Sequence, residues 1–309
     1  MAHGSEFDVV VLSRCDFARK HIADVRQYAP QSRTIFDTVD LHFLRDRREA
    51  ELTQDAGAKL TAQDKQQQEC AVVDQADETW VVSSVEQELL RSERPHKSIE
   101  IVSTIVDVPG SGNPFSLRRD FLFIGSFQHR PNIDAVLFFT KKIYPAVKRR
   151  LPDAKFYVIG DKAPPEVVAL ASESIVVTGR QPDVQPYFDN VKLSIAPLRW
   201  GAGVKGKINQ SMGFGVPVVG TSIAVEGMDL TNREDVMVAD EPDQFANAMI
   251  ELYESEELWN RLSQNAIVKT RELYSVQAAQ KQLRKLFNNQ HLLSVPRDPK
   301  KVKLREFAT

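Results

Sequence analysis

Leu193-Ser-Ile-Ala-Pro-Leu-Arg-Trp-Gly-Ala-Gly-Val-Lys-Gly-Lys-Ile-Asn-Gln-Ser-Met-Gly-Phe-Gly-Val-Pro-Val-Val-Gly-Thr221 reads as a strand, a glycine-rich loop, a helix and a second strand. Glycines let backbone N–H groups approach an anion closely, and the start of the following helix adds partial positive charge. Lys205 and Lys207 add full charges. In an open α/β sheet ligands bind at the carboxyl ends of the strands, where such a loop must lie. The segment predicts a doubly wound α/β domain with an anion site between Arg199 and Lys207. The blander reading is that the glycines only permit a tight loop and both lysines face water.

Two phosphate-loop patterns match the segment literally. Gly201, Gly203 and Gly206 satisfy G-x-G-x-x-G, with Glu226 about twenty residues onward as the acid that a dinucleotide ribose would need. Against this, Pro197–Trp200 separates the strand from the first glycine, and the unit comes late in its domain instead of opening it. Gly201, Gly206 and Lys207 also satisfy G-x-x-x-x-G-K, but Ile208 stands where a hydroxyl is needed to hold magnesium.

On both sides of this loop, short β-branched runs alternate with longer stretches of helical period, the pattern of βαβ units and a mainly parallel sheet. A length of 309 residues favours two α/β domains over one. Residues 8–107 read as a first Rossmann-like domain, 108–115 as a linker marked by Pro109, Gly110, Gly112 and Pro114, and 116–274 as a complete second Rossmann-like domain. Residues 275–309 read as a helix that packs back on the first domain, followed by a loosely ordered basic tail, Pro296–Thr309. The first series has too few strands for a whole Rossmann-like domain and reads as incomplete. Met1–Phe7 resembles cloning-site sequence, which would make the chain part of a longer protein.

Composition narrows the function classes. Hydrophobic residues at 42% and charged residues at 27% are those of a soluble globular protein, and the apolar runs are too short to cross a bilayer. A net charge of -2 gives no global reason to bind nucleic acid. Cys15 and Cys70 lack partners at metal or redox spacing, which suits a reducing, cytoplasmic setting.

Four collinear stretches carry a resemblance. They are the quoted loop, Phe121–Ala135, Val177–Arg180 with Pro182–Val184 and Tyr187, and Asp37–Arg45. Together they resemble the GT-B glycosyltransferases of family 4 type (glycosyl transferases group 1), over Asp8 to about Gln290. The resemblance implies that the second domain binds a nucleotide diphosphate sugar, with Gly125, Ser126, His129, Arg199, Gly201, Ala202, Gly203, Val204, Lys205 and Lys207 around the donor. Charge on the leaving diphosphate would be stabilised by lysines and N–H groups, so neither metal nor cofactor is implied. Such enzymes commonly carry two glutamates with seven residues between them here; Ala202 and Gln210 stand at those positions instead. Gln210 can still hydrogen-bond a ribose hydroxyl through its amide.

The same resemblance places His42 toward the reacting sugar, with Asp40 as its catalytic companion and Asp37, Arg45 and Arg48 shaping the acceptor side. A satisfied loop histidine and a divalent-metal cluster of Asp37, Asp40 and His42 are the alternatives. His129 either touches the donor or caps the helix after it, and Trp200 either stacks on a ligand or anchors the loop. The activity implied is sugar transfer to a glycan or lipid-linked acceptor hydroxyl in surface polysaccharide assembly, in the cytoplasm or peripherally at the inner face of the membrane. A nucleotide-sugar-binding module without transfer is the main alternative; an epimerase and an oxidoreductase are others.

Overall fold

The computed structural model describes residues 4–288. The expected basic tail, Pro296–Thr309, lies outside the described residues. The first domain runs β1 (Val9–Ser13), α1 (Cys15–Tyr28), β2 (Arg33–Asp37), α2 (His42–Thr53), α3 (Ala56–Gln75), β3 (Glu78–Val81), α4 (Ser84–Glu93) and β4 (Ser98–Ile101). Its strands are parallel, in the order β1-β2-β3-β4. The helical stretch read over Leu44–Asp74 breaks in two because Gln54 turns left-handed at φ 55 and the Asp55 carboxylate then caps α3 through the Ala58 N–H.

The second domain runs β5 (Arg119–Ile124), α5 (Arg130–Phe138), α6 (Tyr144–Arg150), β6 (Phe156–Ile159), α7 (Pro165–Val168), β7 (Ile175–Gly179), α8 (Gln185–Asn190) and β8 (Val191–Ala196). It continues with α9 (Gly206–Gly213), β9 (Val218–Gly220), α10 (Ser222–Val225), β10 (Met237–Val238), α11 (Pro242–Glu254) and α12 (Glu256–Tyr274). The helix read as continuous over Ile133–Arg150 carries a π-helical turn at Phe139–Ile143. Pro145 offers no N–H to the turn before it, and the Thr140 hydroxyl bonds back to the Val136 carbonyl at 2.8 Å, so the regular ladder is interrupted there.

The six strands of this sheet are parallel in the order β10-β9-β8-β5-β6-β7. Strand order therefore reverses between β5 and β8, and a crevice opens beyond their carboxyl ends. Beneath it, Phe121, Phe139 and Phe156 are wholly buried and in mutual ring contact. Each contributes about 1.5–3 kcal/mol of burial, which fixes β5 and β6 as a rigid floor.

The linker is anchored from below by Arg118, 1% exposed. Its guanidinium donates to the Asn113, Phe188 and Val191 carbonyls at 2.6, 2.5 and 3.0 Å and lies over the Trp259 ring. Burial pushes its pKa down to about 10, the charge of Asp189 opposing this only in part. The last helix, α13 (Val276–Asn288), reaches the first domain: Gln282 donates to the Ile101 carbonyl and Phe287 meets Trp80 edge-on. Cys15 and Cys70 are buried free thiols.

Candidate functional site

The glycine-rich loop leaves β8 at the reversal point and ends at the start of α9, whose N-terminus has no side-chain cap. Lys205 is buried, 8% exposed, and its Nζ donates to the Gly203 carbonyl at 2.6 Å. The expectation that this lysine is an exposed loop residue is thus overturned. The loop folds back under the first domain and takes the side chain with it. Burial lowers the Lys205 pKa to about 8, the charges of Glu226, Glu86 and Asp40 only partly opposing this. Lys207 projects under Gly125, where a Cβ on the glycine would come within 3.1 Å of the ammonium. It donates to the Asn132 amide oxygen and lies over the Phe123 ring, 4.4 Å from its centroid. Burial, then the charge of Lys205, lower its pKa to about 7. Asn132 in turn donates to the Ser126 carbonyl at 2.7 Å, so Lys207, Asn132 and the Gly125–Ser126 turn form one unit spanning the ends of β5 and β8.

Other donor-side residues are placed differently from the sequence reading. Arg199 is turned onto Asp134 of α5 in a two-bond pair and lies over the Phe138 ring. Ala202 packs against the core of the first domain, and Gln210 is half-buried on α9. Gly203, at φ +68, brings the loop against Asp40; a Cβ there would sit 3.0 Å from the Asp40 Cβ. Val204 packs partly buried against the core of its own domain. Trp200 is 4% exposed with Arg130 above its ring, so it anchors the loop.

Across the crevice, the turn from Asp37 into α2 carries the first domain's contribution. His42 Nε2 lies 3.1 Å from Asp40 Oδ1, and Arg45 lies 3.3 Å from Asp40 Oδ2. Burial opposes ionisation of Asp40, but the His42 hydrogen bond and the neighbouring positive charges outweigh it and hold the carboxyl below its usual range. Asp37 is turned back onto the Ser13 hydroxyl and the Val39 N–H, at 2.8 and 3.1 Å. The three side chains of the metal-cluster alternative therefore do not converge, and among the described residues no group of three or more His, Cys, Asp or Glu is placed to hold a metal ion.

Arg48 does not open onto an acceptor. Its fork is taken by Glu226 of the second domain, at 2.8 Å for each bond, and by the Gly201 carbonyl at 2.7 Å. This clasp also disposes of the dinucleotide reading, whose ribose acid would have been Glu226. The P-loop reading fails because Ile208 is wholly buried in the second core. Beside the clasp, Glu49 meets Arg130 across the same gap. Neither arginine was assignable to the opposite domain from sequence, since nothing local marks a partner far along the chain.

A cavity of about 570 Å³ remains between the domains, lined by Arg14, His42 and Arg45 on one side and Gln128, His129 and Arg130 on the other. His129 makes no side-chain cap to α5. Burial, then the charge of Arg45, lower its pKa, so it faces the cavity as a neutral imidazole.

Residues 118–255 match the family described as glycosyl transferases group 1. The chain carries a group 1 glycosyltransferase domain. That group 1 domain is the one bearing the β5–β8 crevice. A protein of the cps region of Klebsiella pneumoniae is 25% identical over 138 residues, covering 42% of this chain and 36% of that relative. Among solved structures, the sucrose-phosphate synthase of Thermosynechococcus elongatus superposes with a TM-score of 0.74 at 13% identity, over 94% of this chain and 75% of that one. Anabaena HepE in complex with UDP gives 0.71 at 10% identity, over 93% and 80%. These likenesses extend beyond the group 1 domain and show that the two domains together have the GT-B architecture.

Proposed function

We propose that the protein is a glycosyltransferase that moves a sugar from a nucleoside diphosphate donor to a hydroxyl of a glycan or lipid-linked acceptor in surface polysaccharide assembly. The carrying observation is the pair Lys205 and Lys207. Lys205 is buried and Lys207 half-buried at the reversal point of the sheet, their ammonium groups bonded to a carbonyl and an amide and, among the described residues, to no carboxylate. A diphosphate supplies counter-charge that Glu226, Glu86 and Asp40 give Lys205 only in part and that Lys207 does not gain from them. The unpaired N-terminus of α9 and the backbone of Gly201–Val204 add N–H dipoles, and Gly125 and Ser126 close the site from β5.

In this reading Asp40 orients His42, so the imidazole can take the acceptor proton as the new bond forms. His129 and Arg45, across the cavity, bracket the sugar. Leaving-group charge falls to the lysines, so turnover should persist in excess EDTA; loss of turnover, restored by a divalent ion, would contradict that point. HepE, whose structures hold UDP and UDP-glucose, supports uridine nucleotides as first probes, and the relative from a cps region supports the polysaccharide setting. No helix among the described residues is long and apolar enough to cross a membrane, and we place the protein in the cytoplasm, with peripheral contact at the inner membrane face.

Ala202 favours a second reading, a nucleotide-sugar-binding module without transfer, because the position where the resemblance expects a carboxylate is occupied by a methyl group packed on the first core. Calorimetry with UDP, GDP and ADP, followed by hydrolysis of UDP-glucose, separates the two. Binding with turnover supports transfer; binding with none, also when candidate glycan acceptors are present, supports the module.

A further inference from the structure

The helix that begins at His42 lacks the usual means of satisfying its first N–H groups. Its N-cap residue is Leu41, which has no side-chain acceptor. Two carboxylates from elsewhere fill the role. Glu69 of α3 accepts from the His42 and Phe43 N–H groups at 3.1 and 3.0 Å, and Glu86 of α4 accepts from Leu41 and Val82 at 3.0 and 3.1 Å. Each is 1% exposed. The backbone leading into this turn is strained: Val39, β-branched, sits at φ 63, and Arg14, which lines the same cavity, sits at φ 70. A turn held in such a conformation persists only where its surroundings over-determine it, and here Asp37, the Trp80 carbonyl, Glu69 and Glu86 all grip it.

We propose that Glu69 and Glu86 are positioning residues: they clamp Leu41–Phe43, just after the strained Val39, so that His42, held by Asp40, projects into the interdomain cavity. The inference rests on the reading of His42 given above. Neither glutamate touches the cavity, and both act through the backbone that carries the imidazole. Carboxylates suit this task better than amides. Each oxygen accepts one N–H, whereas a glutamine would turn an NH2 group onto one of two donors. The helix N-terminus also favours negative charge. Burial pushes the Glu69 carboxyl up to about 7, the Phe43 and His42 N–H groups and the charge of His42 pulling against it. The clamp is therefore ionised most fully on the alkaline side of neutrality.

The test is a mutant cycle on UDP-glucose hydrolysis. At saturating donor, Glu69→Gln and Glu86→Gln should lower turnover by about tenfold to a hundredfold, with the KM for UDP-glucose moving less than about threefold. Glu69→Asp, which keeps the charge, should recover part of the rate. In a His42→Ala background neither glutamine variant should slow turnover further, because the residue they position is gone. Full turnover in folded Glu69→Gln, or an equal fractional loss with and without His42, overturns the inference alone. Full turnover in His42→Ala overturns the role of His42 and this inference with it. Should the glutamine variants not fold, or the unaltered protein not turn over, amide hydrogen exchange decides. The Leu41, His42 and Phe43 N–H groups should exchange at the slow rate of core amides, and rapid exchange there contradicts the clamp.

Discussion

Lys205 and Lys207 show how far burial can move a side chain from the role its neighbours suggest. In sequence they are loop lysines among glycines, and the natural reading is exposure. In the structure Lys205 is buried and Lys207 half-buried, and both titrate below the ordinary lysine range. Two consequences follow from the sign of that shift. Without an anion, a lysine with depressed folded pKa opposes folding while it is charged, so stability should rise as pH climbs from about 7 toward the unfolded lysine value. Denaturant melts across that range would measure it. Nucleoside diphosphate binding needs the charged forms, so UDP affinity should fall by up to about tenfold per lysine per pH unit above pH 8. Calorimetry in buffers of different ionisation enthalpy should register proton uptake on binding; a pH-independent affinity with no proton uptake would contradict it. Substitution separates charge from packing: Lys205→Met should weaken UDP binding by tenfold or more, at about 1.4 kcal/mol per factor of ten, while leaving stability unchanged or raised. Lys205→Ala should also lower the melting temperature, because the buried stem is lost.

At the scale of elements, strands and helices were largely legible because β-branched runs and helical periods mark them locally; β2, β5 and β8 lie within a residue or two of the strand-like runs Arg33–Phe36, Phe121–Ile124 and Lys192–Ala196. The partners of those elements were not. Glu69 follows Gln66, Gln67 and Gln68 and reads as part of a solvated helix face, yet it is buried against the start of α2. Arg48 reads as an acceptor-side charge, yet its partner, Glu226, lies 178 residues away. Such pairings depend on how helices dock, for which local composition carries no signal. The clasp joins α2 to the segment after α10 and to the Gly201 carbonyl, so Arg48→Met should release the donor loop as well as the domain contact. A loss of about 1.5–3 kcal/mol per charged hydrogen-bonding partner, read from chemical melts, and a larger radius of gyration by solution scattering are the expected results. A scattering profile and stability identical to the unaltered protein would mean that the clasp carries no weight.

For the whole molecule, the two sheets are held in register by the linker anchor at Arg118, the clasp at Arg48 and α13 against Trp80. Arg118→Met would leave three buried carbonyls without their donor. A destabilisation of about 1–3 kcal/mol for each carbonyl left unsatisfied is expected, and a total loss below about 1 kcal/mol, read from urea melts, would refute its anchoring role. The GT-B architecture could be inferred from sequence because four separated motifs fall in one order. Which residues face the crevice could not, since Arg199 meets Asp134 only where the β8 loop packs beside α5, and Arg48 meets Glu226 only where the two domains touch. On the proposed function, a diphosphate sits where β5 and β8 diverge. A crystal structure with UDP tests this most directly. The account expects the diphosphate against Gly201–Lys207 and the Gly125–Ser126 turn, with both lysine ammonium groups within hydrogen-bonding reach; UDP bound elsewhere, with this turn unoccupied, would contradict it.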